Sequence, residues 1–323
     1  MSTMQKYPLL LKPVIKDYIW GGTRLKTEFG FKTDKDIAAE GWMLSCHKDG
    51  TNTVLNGEFA GKTLTEVLDI WGKEALGKNA ERFTYFPLLI KLIDAKDKLS
   101  VQVHPDDSYA LKNEGEYGKT EMWYVVDCDE GASLIYSFNR EISKEEFESR
   151  IKDNTLNEVC NYVPVKKGDV FFIGAGTLHA IGEGILIAEV QQNSNTTYRV
   201  SDYGRLGADG KPRPLHVEKA IDVTVRKPAT VPYGNVGETE NTDFGSVREL
   251  AECDFFKVKL LNLSGDTEIL EKDSFVSLLV LSGNVDIGCN GEVIKAKKGD
   301  SIFIPANMKT SLSGEGQVLY SRV

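Results

Sequence analysis

Lys166-Lys-Gly-Asp-Val-Phe-Phe-Ile-Gly-Ala-Gly-Thr-Leu-His179 lines up without a gap on Lys297-Lys-Gly-Asp-Ser-Ile-Phe-Ile-Pro-Ala-Asn-Met-Lys-Thr310. Each copy reads as a Gly-Asp turn, an apolar strand, and a tight turn that sets one residue at a fixed place beyond it. That residue is His179 in the first copy and Thr310 in the second. Self-similarity at this separation predicts two related β-barrel units. A metal ligand is expected in the first unit and none in the second, which instead packs against the first and is a candidate subunit contact. Residues 224–240, rich in turn formers and alternating charge, read as the link, so the units are placed at 1–225 and 226–323.

Upstream of the first copy, Leu99-Ser-Val-Gln-Val-His104 alternates so that Gln102 and His104 share one face and Leu99, Val101 and Val103 the other. His104-Pro-Asp-Asp107 ends that strand, because proline cannot continue a ladder and Asp106 and Asp107 favour a turn. Glu121 opens the next strand candidate, Glu121-Met-Trp-Tyr-Val-Val126, expected to pair back on the first and bring its carboxylate alongside. Gln102, His104, Glu121 and His179 would then supply two imidazoles, a carboxylate and an amide oxygen. Such a site suits zinc and tolerates manganese, iron, cobalt or nickel. The alternative is a hydrogen-bonded polar barrel mouth.

The rest reads as support. Phe86-Pro-Leu-Leu-Ile-Lys-Leu-Ile-Asp94 is a buried-strand pattern whose Lys91 needs a partner or an exit to solvent. Thr63-Leu-Thr-Glu-Val-Leu-Asp-Ile-Trp71 carries a capping pattern and helical spacing, as does the run from Ser143. The latter is expected to continue to about Asn161 with an interruption near Asp153-Asn154, and Pro214–Asp222 gives a third short helix.

The net charge of −9 over 323 residues, with a pI near 5.2, argues against nucleic-acid binding, which needs a basic stripe. Cations for an anionic ligand must therefore be local. No apolar run is long enough to span a membrane or to serve as a signal-peptide core, so a cytoplasmic protein is expected. Five scattered cysteines form no metal-knuckle spacing and read as reduced residues. Walker, dinucleotide-glycine and nucleophile-elbow motifs are absent.

Gly168, Gly174, Gly176 and His179 fit the second cupin motif, and Gln102-x-His104 with Glu121 resembles a variant of the first. The words LSVQVHPDD, GKTEMWYV, GTLHAIG and QQNSNTTYRV together resemble the type I mannose-6-phosphate isomerases in their short bacterial form. They lie within roughly residues 85–220, and Trp20-Gly21 and Glu40-x-Trp42 match the family's N-terminal part.

The resemblance implies a mainly β fold of two cupin-type jelly-roll barrels with a few short helices. It implies one Zn2+ per chain on Gln102, His104, Glu121 and His179, and interconversion of D-mannose 6-phosphate and D-fructose 6-phosphate through a cis-enediol. A catalytically weak, metal-dependent sugar-phosphate-binding cupin is the alternative, and a dioxygenase on the same barrel a more distant one. The implied partner is a small sugar phosphate, with no nucleic acid and no membrane, and the chain a monomer or homodimer.

Lys119 and Arg199 match active-site cations of the family. Lys119 otherwise reads as a loop lysine and Arg199 as a surface arginine paired with Asp202. Glu189 matches a candidate general base whose pKa burial would raise, or it partners Arg199 or Lys91. A metal-bound water or Lys119 follows as base. Trp20, Lys91 and Ser100 match the substrate pocket, together with Glu40 and Trp42, although both tryptophans equally suit a core. Asn195 stands where some members have aspartate, so a role for that carboxylate does not transfer.

Overall fold

The computed structural model describes residues 5–207 and 210–323. The chain is mainly β and antiparallel throughout its named sheets, which contain ten, six, five and two strands.

The six-stranded sheet runs in the order Val170–Ile173, Glu121–Cys128, Ile185–Gln192, Leu88–Ala95, Glu40–Leu44, Val14–Lys16. Its two central strands are buried along their whole length, which explains their nearly continuous apolar character. Alternation divides their side chains. Leu88, Ile90 and Leu92 join Met122, Tyr124, Leu186 and Val190 in a core shared with Phe275, Leu279, Phe303 and Leu319 of the C-terminal sheet. On the opposite face Ile93, Trp123, Val125, Ile185 and Ile187 pack with Leu134 and Tyr136 of the five-stranded sheet. Lys91 and Glu189 have the parity of that inner face.

The five-stranded sheet has the order Cys160–Pro164, Ser133–Phe138, His179–Ala180, Val101–Val103, Tyr198–Ser201. Val101, Val103, Ala180, Tyr198 and Val200 pack outward against the helices Lys144–Lys152 and Val217–Val223. By the same alternation Gln102, His179 and Arg199 turn inward. The expected pairing of the Glu121 strand with Val101–Val103 does not occur. Glu121–Cys128 pairs with Val170–Ile173 and Ile185–Gln192, and its carboxylate reaches the histidines from the facing sheet.

The repeat survives atom by atom. Lys166 N–H donates to the Asp169 carboxylate at 2.8 Å, as Lys297 N–H does to Asp300 at 2.9 Å. Gly168 and Gly299 take φ of 89° and 92°, where a side chain would be strained. The second turn uses Gly176 in one copy and Asn307, also left-handed, in the other. His179 Nδ1 lies 2.8 Å from the carbonyl two residues before it, and the Thr310 hydroxyl donates to the equivalent Met308 carbonyl at 3.4 Å.

The C-terminal strands form the ten-stranded sheet, which also takes in Leu9–Lys12, antiparallel to Ser301–Ile304, and Thr53–Val54 beyond it. Its other face closes over Val276, Leu278, Val280, Ile287, Ile302 and Leu312.

Thr63 caps Leu64–Trp71 through a reciprocal capping box with Glu66. The Ser143-capped helix stops at Lys152; Asn154 takes a φ of 56° and a short 3-10 turn, Leu156–Val159, follows. Asp106 and Asp107 do more than turn the chain, because Asp106 caps a helix over Asp107–Asn113. All five cysteines are unpaired, and no helix among the described residues is long and apolar enough to cross a membrane.

Candidate metal centre and active site

Between the six- and five-stranded sheets, His104, Glu121 and His179 converge, all buried. His104 Nε2 and His179 Nε2 lie 3.1 Å apart, and they stand 3.7 and 3.4 Å from the two Glu121 oxygens. The Thr177 carbonyl, 2.8 Å from His179 Nδ1, holds the proton on that nitrogen and leaves the Nε2 lone pair facing the cluster. Burial, followed by the nearby Lys119 charge and His179, holds His104 well below the usual imidazole range. Burial brings His179 to about 4. Both rings are therefore neutral at pH 7, with lone pairs to offer.

Glu121 is the complement. Neither carboxylate oxygen makes a hydrogen bond among the described residues. Burial and then the Glu189 charge push the carboxyl up to about 8, against the pull of Lys119, whose Nζ is 3.5 Å away. An orphaned carboxylate beside two neutral imidazoles fits a divalent ion. Gln102, directly across the ladder from His179, adds an amide on the same inward face. His104, Glu121 and His179, with Gln102, are the residues that would hold it.

The cluster abuts a cavity of about 290 Å³. This lies at the small end of ligand pockets and suits a monosaccharide phosphate better than an oligosaccharide. Every other site residue expected from the sequence, Trp20, Lys91, Ser100, Lys119, Glu189 and Arg199, lines it, as do Gln102, Glu40 and Asn195.

Lys91 finds its partner in Glu189, at 3.0 Å, and approaches Glu40 at 3.7 Å. Glu189 sits directly across the ladder from both Lys91 and Trp123. Trp42 Nε1 donates to Glu40 at 2.7 Å and Trp123 Nε1 to Glu189 at 3.0 Å. Trp42 thus serves the wall through Glu40 without lining it.

The expected rise in the Glu189 pKa is overturned. Burial does raise it, but the Lys91 and Lys119 charges and the bonds from Lys91 and Trp123 outweigh burial and hold it at about 2. Glu189 is a buried carboxylate that stays ionised.

Arg199 enters from Tyr198–Ser201, paired with Gln102, and donates from Nη1 to the Pro214 carbonyl at 3.0 Å. Its Nε is buried without an acceptor among the described residues. Asp202, the partner suggested by sequence spacing, is taken instead by Arg205 and Arg213. Burial, then the neighbouring Arg213 charge, lowers the Arg199 pKa. Arg213, Tyr18 and Thr197 also line the cavity and were not picked out by the sequence reading. For Arg213 the only signal was a charge beside Pro212 and Pro214 in an aperiodic loop.

The family profile described as "Phosphomannose isomerase type I, catalytic domain" matches residues 9–130, and "Mannose-6-phosphate isomerase, cupin domain" matches 246–323. The mannose-6-phosphate isomerase of Streptococcus mutans is 39% identical over 318 residues, 97% of this chain and 98% of that protein. The mannose-6-phosphate isomerase ManA of Bacillus subtilis is 38% identical over 322 residues, 99% of this chain and all of that one. The crystal structure of the mannose 6-phosphate isomerase from Bacillus subtilis superposes with a TM-score of 0.90 at 35% identity, covering 98% of this chain and 100% of that one. With likeness that runs through both ends of the chain and across its fold, this chain belongs to the type I phosphomannose isomerase family.

Proposed function

We propose that the chain interconverts D-mannose 6-phosphate and D-fructose 6-phosphate through a cis-enediol, with one zinc ion held by Gln102, His104, Glu121 and His179. The observation that carries the reading is the placement of the buried His104–Glu121–His179 cluster against a small cavity lined by Lys91, Lys119, Glu189 and Arg199. When bound, the ion supplies Lewis acidity that lowers the cost of enediolate charge.

The protein's own groups do the rest. Glu189, ionised at neutral pH, is in the correct state to take the proton from C2 of the aldose and return it to C1. Its low basicity is the cost of having Lys91 against it. Lys119 and Arg199 face the same space and meet the charge that develops on the oxygens of C1 and C2. Trp20 and Ser100 wall the sugar. The same reading divides the chain into a metal-binding barrel, 1–225, and a metal-free cupin-like barrel, 226–323, working in the cytoplasm as a monomer or homodimer on a sugar phosphate.

A coupled assay on mannose 6-phosphate, run before and after chelation and after return of zinc or other divalent ions, tests the reaction and the metal together. Turnover abolished by chelator and restored by zinc is the expected result; no turnover in protein holding one metal per chain would move the reading to a binding protein. Glu189→Gln should lower kcat by about 10²–10⁴-fold with metal retained. Full turnover in that variant would remove Glu189 from the proton transfer and leave a metal-bound water or Lys119 as the base.

A further inference from the structure

The cavity is electrically lopsided. On one side Lys91 and Lys119 stand among the carboxylates of Glu40, Glu121 and Glu189. On the other, toward Lys98 and away from His104 along the Val101–Val103 strand, stands Arg213, and the carboxylate beside it, Asp202, is already engaged. Arg213 grips Asp202 side-on, Nε to Oδ2 at 2.7 Å and Nη2 to Oδ1 at 2.6 Å. This bidentate grip fixes the plane of the guanidinium, and Nη1 has no acceptor among the described residues.

Asp202 is itself buried and braced from behind. Arg205 donates to it at 2.7 Å and is tied through its other nitrogen to the Lys98 carbonyl at 2.6 Å and Asp97 at 3.2 Å. Arg205 does not line the cavity and is spent on structure, whereas Arg199 and Arg213 keep unpaired N–H groups beside it. The loop is arranged so that one carboxylate orients an arginine without neutralising that side of the pocket.

We propose that Arg213 is a substrate-binding residue that receives the phosphate group of the sugar phosphate, with Asp202 as its positioning residue. The reading rests on the sugar-phosphate function proposed above and deepens it. A phosphate held by Arg213 directs the opposite end of an extended hexose, C1 and C2, toward Lys119, Glu189, Arg199 and the histidine cluster. Arg213 thereby selects the phosphorylated sugar over the free one and sets which end enters first.

The test uses the metal-loaded wild type with Arg213→Ala, Arg213→Lys and Asp202→Asn. Calorimetric titration with inorganic phosphate, on metal-free and loaded protein, reads phosphate binding without turnover; KM and kcat for mannose 6-phosphate read its use. Arg213→Ala should weaken phosphate binding and raise KM by about 10–100-fold, with a smaller change in kcat. Arg213→Lys should recover part of the loss, since it keeps charge but not the fork. Asp202→Asn should move KM in the same direction by less.

Phosphate binding and KM unchanged in Arg213→Ala would overturn the proposal while leaving the isomerase reading intact. A wild type that binds phosphate through Arg213 but turns over no mannose 6-phosphate would sink the isomerase reading alone. Where Arg213→Ala does not fold, Arg213→Lys decides, because wild-type phosphate affinity and KM there would deny the fork a role.

Discussion

Lys91 is an ammonium inside a strand that, Asp94 aside, is apolar, and its two carboxylate neighbours explain why the fold tolerates it. Glu189 and Glu40 compensate the charge, and each carboxylate also accepts from one tryptophan N–H. Removing the lysine strands both carboxylates. Lys91→Met should therefore cost about 3–5 kcal/mol at pH 7.

The pH dependence carries a further signature. Glu189 sits at about 2 in the folded protein, below the roughly 4.3 of an unfolded glutamate, so its stabilising contribution is complete above about pH 5 and drains away as pH falls toward 2. Without Lys91, burial dominates and the sign reverses, so the variant gains relative to wild type in acid. Urea midpoints at pH 7, 5 and 3 check this, and parallel slopes for the two proteins would contradict it. Gln102 was legible by strand alternation as sharing a face with His104, and Lys91 and Glu189 were legible as charges within or beside apolar runs. Arg213 was not, because loop residues carry no periodicity, and the spacing that links Asp202 to Arg199 says nothing of an arginine arriving from farther along the chain.

The short helix Asp107–Asn113 holds the loop that delivers Lys119. Asp107 accepts from Gly118 N–H at 2.7 Å and from Gln192 Nε2 at 2.8 Å, and Lys119 N–H donates to the Pro105 carbonyl at 3.0 Å. Gly118 lies so close to this helix that a Cβ there would come within 2.4 Å of the Asp106 carbonyl carbon. The atoms it would meet are backbone of Asp106 and Asp107, which cannot yield as a flexible side chain would. Gly118→Ala should displace Lys119 and lower kcat by at least about tenfold, with the histidine cluster still binding metal. Elemental analysis beside kinetics separates this from general unfolding, and unchanged kcat would remove the positioning argument. The helix escaped sequence analysis because only Ala110 of its residues is buried, so no apolar period marks it. The Thr63 and Ser143 caps and the repeated Gly-Asp turn were legible because each signal is complete within a few residues.

At the scale of the molecule, the two copies of the repeat announced two related β units, yet nothing local in Leu9–Lys12 announced that it would pair with Ser301–Ile304. Long-range pairing leaves no signature in either partner's own sequence. The C-terminal sheet, with Phe275 just before its long strand, also presents Leu279, Phe303 and Leu319 to the core that holds Leu88, Ile90 and Leu92. Residues 226–323 expressed alone should therefore lack a cooperative thermal transition and bind hydrophobic dye, whereas the full chain melts as a unit. A sharp calorimetric transition for the isolated segment would show that its sheet needs neither the N-terminal strand nor the shared core.

The same strand exchange bears on how the protein is made. Leu9–Lys12 is synthesised long before its partner strand, Ser301–Ile304, so the sheet that joins them cannot close until the chain between them has left the ribosome. At ~5–20 residues per second that interval is on the order of 15–60 s. From its own synthesis to the end of that interval the apolar face of Leu88–Ala95 lacks its C-terminal cover, and the latest-forming contacts are the ones most separated in sequence. The nascent chain's exposure to aggregation is thus set by translation speed and by whatever shields that one sheet face, rather than by the stability of the finished enzyme.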